Sequence, residues 1–83
     1  MLASDTILQN RYRILRLLGQ GGMGAVYLAE DRRFGSRLAL KEALFDQPRL
    51  RRAFEREAKL LHQLRHPALP VVMDYFTEGQ GQY

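Results

Sequence analysis

The sequence predicts an α+β domain, an antiparallel sheet of four to five strands with one helix packed on it. Three observations point there. Four glycines, Gly19, Gly21, Gly22 and Gly24, crowd into one short stretch between two apolar runs. Residues 37–42 alternate as a half-buried strand does, with Leu38 and Leu40 on one face and Ala39 and Lys41 on the other. Beyond Asp46 the apolar residues change to a helical period.

Residues 1–11 read as a lead-in and residues 12–83 as the domain. Tyr12 to Leu18 carries Arg13 and Arg16 among its apolar residues, which a strand covered on both faces would hardly tolerate; it belongs in a sheet with one wet face. Ala25 to Glu30, with Val26, Tyr27 and Leu28, is the second strand. The glycines therefore make the first connection of two linked hairpins, and Asp31 to Ser36 makes the second. Asp46 can cap a helix and Pro48 suits its first turn, after which Leu50, Ala53, Phe54, Leu61 and Leu64 form an apolar stripe. That helix is expected over about 48–65 and stops at His66-Pro67, because proline disfavours helical geometry in the residue before it. Val71 to Thr77 is a candidate fourth strand, with Met73, Tyr75 and Phe76 as core and its flank; Glu78 to Gln82 is a turn and Tyr83 begins a fifth strand.

Bulk properties narrow the function classes. A chain of 83 residues makes one small domain, and such domains bury only about 60% of the surface they expose when unfolded. With no cysteine there are no disulfides and no thiolate zinc sites. Met1 to Asp5 has neither the basic start nor the apolar run of a signal peptide, and no stretch reaches membrane-spanning length, so the expected location is cytoplasmic with no membrane segment. Eleven of the 13 cations are arginine, set against 9 acids for a net charge of +4. They are scattered from Arg11 to Arg65 without a nucleic-acid motif, which favours a solvated surface and no nucleic-acid partner. His62 and His66 read as surface or turn residues, and no metal site is assigned.

Glycine lets a backbone approach a ligand without an intervening Cβ, and a loop rich in it can aim several amides at an anion such as a phosphate. Glu57 is the odd member of the helical stripe, three residues after Phe54 and four before Leu61. A carboxylate there is costly, so it either swings outward or meets a cation. Lys41 is the natural partner, or else it extends to solvent. Phosphates at the glycines, an ammonium to pair them and a carboxylate to hold the ammonium together suit a nucleoside triphosphate. Val26 and Ala39 would leave a flat slot for adenine.

On these residues the chain resembles the N-terminal lobe of a bacterial, eukaryotic-type Ser/Thr protein kinase. Residues 19–26 match G-x-G-x-x-G-x-V, and Leu38-Ala39-Leu40-Lys41 is similar to V-A-I-K. Phe54-Glu55-Arg56-Glu57-Ala58 resembles the segment of the C helix that holds the lysine's partner, and His66-Pro67-Ala68-Leu69-Pro70 resembles H-P-N-I-V. The resemblance implies ATP as ligand, with Gly19, Gln20, Gly21, Gly22, Met23 and Gly24 over the phosphates. It also implies Leu18, Val26 and Ala39 at the adenine, Lys41 on the α- and β-phosphates, Glu57 orienting Lys41, and Leu61 joining the helix to the core. Up to Tyr83 there is no H-R-D loop, D-F-G or A-P-E. The magnesium ligands and the protein-substrate site would lie in a missing C-lobe, and these 83 residues alone are expected to be inactive.

Two other readings compete. A Rossmann-type dinucleotide binder would draw Ala25 to Glu30 as a helix and use Glu42 on a ribose. A non-catalytic module would dock on another kinase or self-associate, with Arg49, Arg51, Arg52 and Arg56 as a basic cluster awaiting a phosphate or an acidic partner.

Overall fold

The structure, a computed structural model, describes residues 1–21, 24–44, 47–64, 67–68 and 71–83. Gly22 and Met23 of the glycine loop, the cap candidate Asp46, and Arg65, His66, Leu69 and Pro70 lie outside the described residues.

Four strands form one antiparallel sheet in sequence order: β1 (Ile7–Leu8), β2 (Tyr12–Gln20), β3 (Gly24–Asp31) and β4 (Arg37–Ala43). The helix α1 (Pro48–Gln63) follows, then a separate two-stranded hairpin of β5 (Thr77–Glu78) and β6 (Gly81–Gln82). The α+β arrangement is the one expected.

Alternation fixes the faces of the sheet. On β3, Ala25, Tyr27, Ala29 and Asp31 are buried, and on β4 the same side takes Leu40 and Glu42, since Tyr27 pairs with Leu40 and Ala25 with Glu42. On β2, Tyr12 and Ile14 continue this back face, but the register then slips twice, between Ile14 and Arg16 and between Leu17 and Gly19. Such bulges bend a strand and re-aim its side chains. From Arg16 onward every residue of β2 is exposed, which gives Arg16 its wet face and leaves Leu17 and Leu18 open as well.

Both ends of the chain cover the back face. Residues 1–11 are more than a lead-in: Leu8 is buried, Leu2 packs on the core, and β1 pairs with Tyr12 and Arg13. The connection holds Gln9 and Asn10 in left-handed backbone (φ 54° and 51°). From the other end, Phe76 stacks on Tyr12 (centroids 5.6 Å apart) and on Tyr83 (5.3 Å). The β3–β4 turn closes on Gly35, at φ 73°, where a side chain would be strained.

The expectation for 71–77 needs correction. Among the described residues 71–76 have no regular structure; Thr77 pairs with Gln82 and Glu78 with Gly81, and Phe76 and Tyr83 exchange backbone bonds of 3.1 and 2.9 Å. The turn at Gly79 (φ 59°) brings 81–82 back onto 77–78, so this segment pairs with itself instead of joining the main sheet. Met73 is 64% exposed and is not core.

The helix begins at Pro48 as expected, but its cap is Gln47, without a side-chain bond, and it ends at Gln63. Its first turn holds no acid, so Arg49 and Arg51 oppose the helix dipole. No residue of α1 is fully buried. Leu50, Phe54, Ala58 and Leu61 are half-buried, whereas Ala53 and Leu64 are exposed. Polar ties hold its start to the hairpin: the Arg51 guanidinium donates to the Gln80 carbonyl (3.3 Å) and the Gln82 amide donates to the Arg51 carbonyl (3.0 Å).

Candidate functional site

Strand phase dictates where Lys41 points. Its neighbours Leu40 and Glu42 bury on the back face, so Lys41 leaves the strand on the front, opposite Val26, while Ala39 lies opposite Leu28. Across from them α1 brings up Phe54, Glu57, Ala58 and Leu61, and a cavity of about 420 Å³ lies between the helix and the β4 edge of the sheet, lined by Leu38 and Leu40 as well as by Ala39 and Lys41. Val26, Ala39, Lys41 and Glu57 all line it, although Lys41 and Glu57 are 16 residues apart in sequence and come from different elements. Both remain exposed, and among the described residues no ion pair joins them. The Lys41 ammonium instead lies 5.8 Å from the centre of the Phe54 ring, a cation–π contact.

The described glycines divide by what surrounds them. A Cβ on Gly24 would stand 2.8 Å from the Glu42 carbonyl oxygen and 3.7 Å from Lys41 Cε, so Gly24 is required where β3 meets β4 and the lysine passes over it. A Cβ on Gly19 or Gly21 would meet nothing within 4 Å, and neither residue has left-handed backbone. Internal packing does not require glycine at either position. The Gly21 N–H is already used, donating to the Gly24 carbonyl (2.9 Å) across the hairpin. Leu18, Gly19, Gln20 and Gly21 are exposed along the end of β2 and do not line the cavity.

Three features escaped the sequence reading. Tyr12 lines the far end of the cavity with Asp74, Phe76 and Tyr83. Its hydroxyl donates to the Asp74 carboxylate (2.7 Å), and burial together with that carboxylate pushes its pKa up to about 12. Asp31 is buried and accepts two bonds from the Arg11 guanidinium (3.0 and 2.7 Å), which hold its pKa down at about 2. Glu42 is buried on the back face and accepts the Tyr27 hydroxyl proton (2.7 Å). The one available signal was Glu42's place in phase with Leu38 and Leu40. These last facts also overturn the Rossmann reading, for residues 25–30 are strand and Glu42 points away from the front face.

No protein-family model matches the chain. Curated proteins do: it is 46% identical to the Ser/Thr-protein kinase PknD of Chlamydia muridarum over 88% of this chain and 8% of that protein. It is 42% identical to the Ser/Thr-protein kinase Pkn2 of Myxococcus xanthus over 95% and 10%, respectively. This chain is homologous to bacterial Ser/Thr protein kinases. A third kinase relative, Ser/Thr-protein kinase C of Synechocystis, is 38% identical over the whole chain and 17% of its own length. The chain thus spans between 8% and 17% of these kinases. Among the described residues no helix of the kinase homologue is long and apolar enough to cross a membrane.

Proposed function

We propose that this chain is the ATP-binding N-lobe of a Ser/Thr protein kinase, whose complete form transfers the γ-phosphoryl group of ATP to Ser or Thr of proteins. The observation behind this is the convergence of Lys41 and Glu57 on one cavity whose sheet wall carries Val26 and Ala39. Val26 and Ala39 supply an apolar surface for the adenine ring. Lys41 supplies a point charge beside Gly24, where the glycine hairpin returns to the sheet. Gly19 and Gly21 keep the end of β2 free of side chains, so that phosphate oxygens can come close to the backbone. Glu57 holds the ammonium in place once Lys41 leaves the Phe54 ring, and keeps it charged. Phosphoryl transfer consists largely of positioning and charge stabilisation, and these residues would contribute the part that acts on the α- and β-phosphates. Magnesium would neutralise the phosphates when bound; among the described residues no cluster of His, Asp and Glu offers it a ligand set, and its holders and the protein substrate's site would belong to the remainder of a kinase.

Competition binding tests the reading. ATP with magnesium should displace a fluorescent adenine nucleotide and NAD should not; equal displacement by both, or by neither, overturns it.

A further inference from the structure

Directly behind Lys41 the back face holds a short polar relay. The Leu2 backbone N–H donates to the Tyr27 hydroxyl oxygen (2.9 Å), and that hydroxyl gives its own proton to Glu42 Oε1 (2.7 Å). Tyr27 is 1% exposed and Glu42 7%. Burying a carboxylate behind a strand is expensive, and this side of the sheet is otherwise apolar around it, with Ala25, Ala29 and Leu40. Fold stability alone would favour an aliphatic residue at position 42. What the carboxylate adds is direction. Consecutive strand residues point to opposite faces, so an anchor on the Glu42 side chain fixes the peptide from which Lys41 departs. Across the hairpin an added Cβ on Gly24 would stand 2.8 Å from the Glu42 carbonyl oxygen, so β3 approaches this peptide closely only because position 24 is glycine.

We propose that Tyr27 and Glu42 are positioning residues for Lys41, and that the N-terminal residues 1–2, through the Leu2 amide, hold Tyr27 in the orientation that does this. The proposal rests on the nucleotide reading for its consequence, since a displaced Lys41 would meet the phosphates less well, but the displacement itself is independent of that reading. It also ties the first residues of the chain to a site on the other face of the sheet.

The chain has two lysines, Lys41 and Lys59, so NMR of protein labelled at the lysine ε-carbon gives one signal for each. Tyr27→Phe keeps the ring and removes the hydroxyl; Leu2→Pro removes the donating N–H at the other end of the relay, together with the Leu2 side chain that packs on the core. In both variants the Lys41 signal should move in the same direction while Lys59, paired with Glu55 on the helix surface, stays put. ATP–Mg affinity should fall by at least about threefold. A Lys41 signal that stays at its wild-type position in folded Tyr27→Phe protein overturns the proposal, and if that variant does not fold, Leu2→Pro decides by the same criterion. Titrating ATP–Mg into the wild type is a separate arm: no change at Lys41 there defeats the nucleotide reading, and the relay is then judged on the position of Lys41 alone.

Discussion

Alanine placed at each of three glycines separates what the fold needs from what a ligand needs. At Gly24 the new Cβ would lie 2.8 Å from a backbone oxygen of β4, a contact that a strand already paired on that side cannot relieve by rotating a side chain. Overpacking of this kind costs about 1–3 kcal/mol. In a domain of this size each kcal/mol is worth roughly 4–8 °C in Tm, so Gly24→Ala should melt at least about 4 °C lower. At Gly19 and Gly21 the Cβ would meet nothing within 4 Å and the backbone is not left-handed. There alanine restricts the unfolded chain and should be neutral, or stabilising by up to about 1 kcal/mol. The same methyl would stand where a phosphate must approach the backbone, and losing one charge-assisted contact of about 1.5–3 kcal/mol lowers affinity roughly 10- to 100-fold. Thermal melts followed by circular dichroism, with calorimetric ATP–Mg titrations in the same buffer, read both quantities. The reasoning is refuted if Gly19→Ala and Gly21→Ala lose as much stability as Gly24→Ala, or if they bind ATP–Mg as the wild type does.

Two pH dependences follow from the buried groups Asp31 and Tyr12 and their partners. Because Arg11 holds the folded-state pKa of Asp31 at about 2, below its unfolded value, the stabilisation is complete above the ordinary carboxylate range near pH ~4. It should fade as pH drops toward 2, and urea midpoints should show Asp31→Asn protein losing less stability over that span; equal losses would contradict the pairing. Tyr12 has the opposite sign: its folded pKa is raised to about 12, so its contribution is present up to the ordinary phenol value near ~10 and is lost as pH climbs through 12. Burial raises Tyr27 and Tyr83 as well, so phenolate absorbance should show several late-titrating tyrosines, of which Tyr12→Phe removes one. That variant should cost only about 1 kcal/mol, because Asp74 is exposed and water can replace the lost donor.

The two central hairpins were readable because period-2 burial is local: Leu38, Leu40 and Lys41 declare their faces within six residues. The helix was readable for the same reason at its own period, but how closely it packs was not. That depends on hairpin contacts such as Arg51 with Gln80, which have no signature in sequence. Strand β1 is two residues long, too short for any alternation to show, and its turn uses left-handed Gln9 and Asn10 where a reader looks for glycine. Residues 71–76 carry strand-forming side chains, yet tertiary pairing leaves them without a ladder. At the candidate site, the suggestion that Lys41 and Glu57 share one space came from charge cost together with the glycine loop upstream and the kinase resemblance, and both residues line one cavity. That Lys41 rests against Phe54 depends on side-chain positions that the spacing of residues leaves open.

The most direct measurement is the ATP–Mg affinity of Lys41→Met protein beside Lys59→Met protein. Lys59 is a fair control, since it is exposed and pairs with Glu55 at 2.9 Å on the same helix as Glu57. If the cavity shared by Lys41 and Glu57 is the nucleotide site, Lys41→Met weakens binding roughly 10- to 100-fold, as expected for one lost charge-assisted contact, and Lys59→Met leaves it unchanged. Equal affinities for the two variants would place the nucleotide elsewhere and contradict the assignment.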